Sequence, residues 1–402
     1  MNESKLRLKA PDGSSYADWE DIPFGDLLEQ YSKKTKTNNE DILLSCAIDG
    51  IFLNSELFSH QRASDNTGYL KIDKGTLILS AQNLHLGNAN VNMRFDHGII
   101  SPAYKTFHLK GCLPEFMAHW VKREGAKKFF YNVTTTGASQ CRRNVEWETL
   151  YEQPIMMPSI EEQKAIANFL ALYDQKIANQ MAKIEALETR RKGLLQKIFS
   201  QEIRFKADDG SDFEDWEETL LSDILTERKE KSTGKEEVYS VSVAKGLVNQ
   251  IEHLGRSFAA EDTSKYKVIC PGDVVYTKSP TGEFKWGIVK QSMIDKSVIV
   301  SPLYGIFIPK TEALGFVLDA YFSSSVRAHN YLITQVRKGA KNTINVSNDE
   351  FLDNYIMLPT SEDEAKKIKE FVSLLDQQIQ VEKDKLEAIK NVKKGLLQQM
   401  FV

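Results

Sequence analysis

Two groups of residues have types and spacings that could do chemistry. Asp273, followed by Glu283-Phe284-Lys285, matches the Asp…Glu-x-Lys pattern with which many nucleases bind a divalent metal. The loop Thr136–Gln140, with Ser139, Gln140, Arg142, Arg143 and Asn144, mixes guanidinium, amide and hydroxyl groups. Its counterpart Arg337-Lys338-Gly339-Ala340-Lys341-Asn342 combines guanidinium, ammonium and amide groups. That mixture suits nucleic acid, because Lys and Arg neutralise phosphates while Asn, Gln and Arg reach base edges. Further candidates are Gln82 and Asn83, Tyr104 and Lys105 beside Ser101-Pro102, Tyr304 beside Ser301-Pro302, and Lys278, Lys285 and Trp286. Tyr104, Tyr304 and Trp286 read equally well as core side chains, since aromatics at strand ends are commonly buried. The histidines are spread singly, and Cys46, Cys112, Cys141 and Cys270 lack metal-ligand spacing.

The elements that position these residues occur twice. Leu6–Glu20 (LRLKAPDGSSYADWE) returns as Ile203–Glu217 (IRFKADDGSDFEDWE), and Lys183–Phe199 (KIEALETRRKGLLQKIF) returns as Lys385–Phe401 (KLEAIKNVKKGLLQQMF). The offset drifts from 197 to 202, which places small insertions in the divergent stretch of about 140 residues between these landmarks. Alike ends around unlike middles suggest one scaffold carrying two different readings. The position of Asp273 in the first repeat is Thr76, with no Glu-x-Lys after it, so the metal pattern reads as a strand end and a hairpin. Trp19 and Trp216 read as anchors for the entry of each domain.

Each repeat ends in a helical pattern. Ile166, Leu170, Tyr173, Ile177, Ile184, Leu187, Leu194 and Ile198 recur at helix spacing, as do Ile368, Val372, Leu375, Ile379, Leu386, Ile389, Leu396 and Met400. Both runs follow a proline, with Ser159-Ile-Glu-Glu162 and Ser361-Glu-Asp-Glu364 offering capping boxes. Some 40 helical residues reach on the order of 60 Å. Gly193 and Gly395 recur inside these helices, where glycine costs about 1 kcal/mol against alanine, and so predict a close helix crossing. The middles show short β-rich runs at Thr76–Leu79, Asp273–Tyr276 and Val298–Val300, and helical patches near 113–124 and 314–332. The expected fold is mixed α/β (α+β). The domains are 1–158, first helix 159–200, second domain 201–359 and second helix 360–402.

Composition agrees with a cytoplasmic globular protein, with 41% hydrophobic and 27% charged residues, no long apolar run and no signal-peptide h-region. The net charge of −4 hides an uneven distribution. Residues 208–218 carry seven acids and no base, whereas 101–143 carry eight Lys/Arg against two Glu.

The stretches IMMPSIEEQKAIANFLALYDQKI (155–177) and IMLPTSEDEAKKIKEFVSLLDQQI (356–379), with the two KGLLQ tails, resemble the specificity subunits of type I restriction-modification enzymes over essentially the whole chain. That resemblance implies two target-recognition domains separated by antiparallel coiled-coil spacer helices in a pseudo-twofold arrangement. It implies a split double-stranded DNA target with a fixed gap, its two blocks about one helical turn apart. It also implies two methyltransferase partners and further restriction (motor-nuclease) subunits. S-adenosylmethionine, ATP and Mg would belong to those partners and no cofactor to this chain. In agreement, the chain has neither an Asn/Asp-Pro-Pro-Tyr/Phe motif for adenine methylation nor a G-x-x-x-x-G-K-[ST] loop for ATP. A free-standing nuclease built on Asp273, Glu283 and Lys285, and a coiled-coil adaptor without DNA selectivity, are the alternatives.

Overall fold

The computed structural model describes residues 6–58, 64–139, 142–254, 262–335, 337–338 and 344–401. They divide into two compact units, one formed by 1–182 with 383–402 and the other by 183–382. This differs from the four consecutive segments expected. The long helices Ile160–Phe199 and Glu362–Met400 are continuous, but each contributes one half to each unit and is packed there as part of its core. No helix among the described residues is long and apolar enough to cross a membrane.

In the first unit the central sheet is antiparallel, ordered Leu28–Tyr31, Tyr104–Leu109, Leu77–Ser80, Ala89–Val91. In the second it is Leu225–Glu227, Gly305–Pro309, Val274–Tyr276, Val289–Gln291. The middle strands are buried on both faces (Leu77, Ile78 and Leu79; Val274, Val275 and Tyr276), so they read as apolar runs without alternation. The helical patches resolve into pairs, Pro114–Trp120 with Glu124–Asn132 and Glu312–Phe322 with Ser325–Leu332. Ser324 breaks the second pair by accepting the Arg327 N–H as an N-cap. Aromatic side chains fill the first core, where Trp120 stacks on Phe24 and meets Phe129 and Phe130 edge-on.

The repeated opening segment forms a clamp. Asp12 accepts the Ser14 N–H and hydroxyl at 2.9 and 2.6 Å, and Asp209 accepts those of Ser211 at the same distances, with Gly13 and Gly210 both at φ 86°. The left-handed backbone makes glycine the residue for that turn. Across the turn, Arg7 donates to Glu162 from Nη2 (2.8 Å) and Nε (3.2 Å), and Trp19 Nε1 donates to Glu162 Oε2 at 3.0 Å. The second unit repeats this with Arg204 (2.8 and 3.0 Å) and Trp216 (2.9 Å) on Glu364. The side chains of Glu162 and Glu364 are fully buried. The capping boxes are therefore half realised. Ser159 and Ser361 accept the Glu162 and Glu364 N–H groups, but the carboxylates turn inward to the guanidinium and indole. A buried carboxylate without a partner is far costlier than one left uncapped.

Opposed helix halves pair within each unit. In the second, Arg191 holds Asp376 (Nη2–Oδ2 3.0 Å) and Lys183 holds Glu382 (3.0 Å), so numbering rises on one helix as it falls on the other. In the first, Lys393 pairs with Asp174, while Leu397, Met400 and Phe401 join Ile166 and Leu170 in the domain core. Three expectations change. Ile166, Leu170, Ile368 and Val372 belong to domain cores rather than to a helix seam alone, while Ile379 is buried and Ile177 half-buried. The buried leucines at the helix ends are Leu195 and Leu397, one residue beyond Leu194 and Leu396, which are half-buried. A Cβ at Gly193 or Gly395 would meet nothing within 4 Å, so within the chain neither glycine marks a close crossing.

Removing the clamp carboxylate leaves its arginine and indole N–H without their acceptor. Glu364→Ala is expected to cost about 3 kcal/mol, and Glu364→Gln less. Urea unfolding checks this, and equal midpoints for wild type and Glu364→Ala would refute it.

His119 lies 3.9 Å from Asp174, and burial, assisted by Lys393, lowers its pKa from 6.5 to about 4. Between those values the unfolded chain binds a proton that the folded chain does not, so stability is full above pH 6.5 and falls as the pH drops toward 4. Urea midpoints from pH 4.5 to 7.5 are expected to show a shallower acid slope for His119→Gln. An unchanged slope would contradict the assignment.

Candidate nucleic-acid interface

Three segments converge in the first unit. They are the turn between strands Leu77–Ser80 and Ala89–Val91, the helix Glu124–Asn132, and the hairpin of Thr134–Ser139 with Arg142–Val145. The turn is held by Asn83 N–H on Ser80 Oγ (3.1 Å) and by Gly87 at φ 90°, which leaves Gln82 and Asn83 exposed. His85 is buried beneath it. Burial, then the nearby Arg143 and Lys127, lower its pKa, so the turn, helix and hairpin share one positively charged neighbourhood. Arg143 is fixed within the hairpin, donating to the Thr134 hydroxyl (2.7 Å) and carbonyl (2.5 Å), with its guanidinium 4.2 Å from the centre of the Tyr131 ring.

The second unit builds the same place from other residues. The loop after strand Val274–Tyr276 closes on itself through Thr277 N–H to the Ile288 carbonyl (3.0 Å) and mutual Thr281–Phe284 bonds. Gly287, at φ 96°, approaches the Lys278 backbone so closely that a Cβ would stand 2.8 Å from its nitrogen. Lys278 is half-buried, and burial lowers its pKa, while Lys285 is exposed. Trp286 packs against helix Ser325–Leu332, its Nε1 donating to His329 Nδ1 at 2.8 Å. The following hairpin pairs Arg337 with Asn345 and Lys338 with Ile344. The side chains of Ser139, Arg142, Arg337 and Lys338, and all of Gln140, Lys341 and Asn342, lie outside the described residues.

Several sequence candidates have structural occupations. Tyr104 donates its hydroxyl to the Cys46 carbonyl at 3.0 Å within a small core, and burial pushes its pKa up to about 12. Tyr304 packs in the equivalent core of the second unit. Lys105 stands 3.8 Å over the Trp147 ring, its pKa lowered by burial. Asp273 is committed to structure, taking Arg228 through both oxygens (2.6 and 3.0 Å) and the Cys270 N–H (2.7 Å). Thr76 does the same work in the first unit with the Tyr31 hydroxyl at 2.6 Å. Asp273 is thus a structural residue at the start of strand Val274–Tyr276. The sequence reading missed His85, Lys127 and His329. Their signal was the matched place of helices 124–132 and 325–332 in the two repeats.

Residues 16–189 match the family model of the type I restriction modification DNA specificity domain. The chain is 25% identical over 94% of its length, and 91% of the relative's, to the type I restriction enzyme MjaVIII specificity subunit of Methanocaldococcus jannaschii. Over 40% of its length it is 27% identical to the putative MjaX specificity subunit of the same organism, of which it covers 35%. The fold is that of the crystallised type I S subunit from M. genitalium, with TM-score 0.52, 14% identity and 99% of each chain covered. It is also that of a chain from a type I R-M system solved to explain complex assembly, with TM-score 0.54, 13% identity and 98% and 99% covered. The chain thus resembles the specificity subunits of type I restriction-modification enzymes, through the specificity-domain match in its first half and through its similarity to one such subunit along most of its length.

Because the Tyr104 hydroxyl is spent on Cys46, Tyr104→Phe is expected to lower stability by about 1 kcal/mol while leaving any DNA target unchanged. Urea unfolding and target mapping of the variant test both parts, and an altered target would make Tyr104 a reading residue after all.

Proposed function

We propose that this chain is the DNA-reading subunit of a cytoplasmic type I restriction-modification complex. Each unit contacts one block of a split double-stranded target with the turn or loop, helix and hairpin described above. The two long helices act as antiparallel coiled-coil spacers in a pseudo-twofold arrangement, setting the gap and docking two methyltransferase subunits. Restriction subunits complete the assembly. S-adenosylmethionine belongs to the methyltransferases, and ATP with Mg to the motor-nuclease. This chain contributes position rather than bond-making.

The observation that carries this reading is one scaffold built twice with different side chains at one junction, His85 with Lys127 and Arg143 in the first unit, Trp286 with His329 in the second. A repeat serving only stability has no reason to keep its clamp and vary the loops it holds. Phosphate contacts then supply affinity, and the differing side chains supply sequence.

The test is to co-express the chain with its neighbouring methyltransferase subunit and map methylated adenines across the host genome. A two-part motif with a constant gap, lost when this chain is omitted, is the expected result. Methylation that persists unchanged without the chain would overturn the proposal.

A further inference from the structure

Between the loop and helix Ser325–Leu332 of the second unit lies a cavity of about 220 Å³, lined by Glu283, Lys285, Trp286, Val326 and His329 among others. Its walls are held from behind. The Trp286 carbonyl accepts the hydroxyl of the wholly buried Tyr276 at 2.6 Å, and Gly287 fits against the Lys278 backbone.

The Trp286–His329 bond settles which protons this cavity presents. An indole N–H only donates, so His329 Nδ1 must offer its lone pair and the ring proton must sit on Nε2. Nε2 has no partner among the described residues. His329 therefore presents a donor of fixed identity, and the exposed Lys285 adds a second. Glu283, also exposed, supplies an acceptor on the same wall. Val326, 66% exposed, is the apolar surface between helix and solvent.

We propose that this cavity reads a G·C pair in the second half of the target, from the major groove. His329 Nε2–H and the Lys285 ammonium donate to guanine N7 and O6, and Glu283 accepts from the N4 amino group of the paired cytosine. Guanine alone offers two adjacent acceptors on that edge, whereas the amino groups of adenine and cytosine would set donor against donor. This inference rests on the DNA-reading function proposed above and names a residue that carries part of it.

The test uses the full chain purified with its methyltransferase partners and duplexes carrying the mapped target. Each second-half guanine is replaced in turn by 7-deazaguanine, which deletes N7 and leaves base pairing intact. Binding is measured by fluorescence anisotropy for wild type, His329→Ala and His329→Gln. At one guanine, the replacement should weaken wild type by about tenfold and have no further effect on His329→Ala. His329→Gln, which keeps a donor, should retain part of the sensitivity, and it makes the same comparison if His329→Ala does not fold. First-half guanines should respond alike in every protein. Equal losses in wild type and variants at every second-half guanine, or a second half without guanine, would overturn the inference. A wild-type complex that binds target and scrambled duplexes equally would overturn the proposed function itself.

Discussion

Both units depend on a carboxylate taken out of water. Glu162 and Glu364 sit at the first turn of the long helices, where the helix dipole favours an acid, yet their side chains are fully buried and face the domain. That position is tenable only because a guanidinium grips both oxygens and an indole N–H adds a third bond. Arg and Trp come from the opening segment, and the Asp-Gly-Ser turn sets their spacing. One interaction thus ties the start of each domain to the start of the helix that leaves it. The strands Glu20–Pro23 and Glu217–Leu220 strengthen the tie, pairing with Pro154–Met157 and Tyr355–Leu358 immediately ahead of the helices.

With the frame held in this way, substitution inside the domains is tolerated when it exchanges one satisfied pair for another. Tyr31 with Thr76 in the first unit and Arg228 with Asp273 in the second link corresponding strand ends across the strand that lies between them, one pair neutral and one ionic, and the strand order is the same in both sheets. A frame that keeps its geometry while its internal pairs change lets the loops beyond the sheet diverge. The junction occupied by His85 and Lys127 in one unit and by Trp286 and His329 in the other is the outcome.

The repeats, the long helices and the strand cores were legible in the sequence because each shows in the order of residues alone: short matched segments at a nearly constant offset, a 3.6-residue period, apolar runs. The register of the helix ends was read one residue early, at Leu194 and Leu396 instead of Leu195 and Leu397, because a 3.5-residue seam drifts from a straight helix by about 20° per heptad. Glu162 looked like a cap since its true partners, Arg7 and Trp19, lie 155 and 143 residues away. His329 was invisible for the same reason, its partner being 43 residues back across an element boundary. Tyr104 was undecidable from its type alone. Its hydroxyl finds Cys46 only once the sheet has formed.

Net charge misleads here for a related reason. The acids of 208–218 lower the total, but several are occupied within the frame: Asp209 by Ser211, Asp212 by Lys206, Asp215 by Arg204, Asp208 by Lys367. Lys127 and Arg143 are grouped instead around the exposed turn at Gln82 and Asn83. Exposed charges are largely screened beyond about 8 Å at physiological ionic strength, so a phosphate approaching that turn responds to its basic neighbours and hardly to acids elsewhere on the chain. An acidic total is therefore compatible with a local surface suited to nucleic acid. It also limits the long-range attraction for arbitrary duplexes that a uniformly basic protein would have, leaving more of the selection to the side chains that meet the bases.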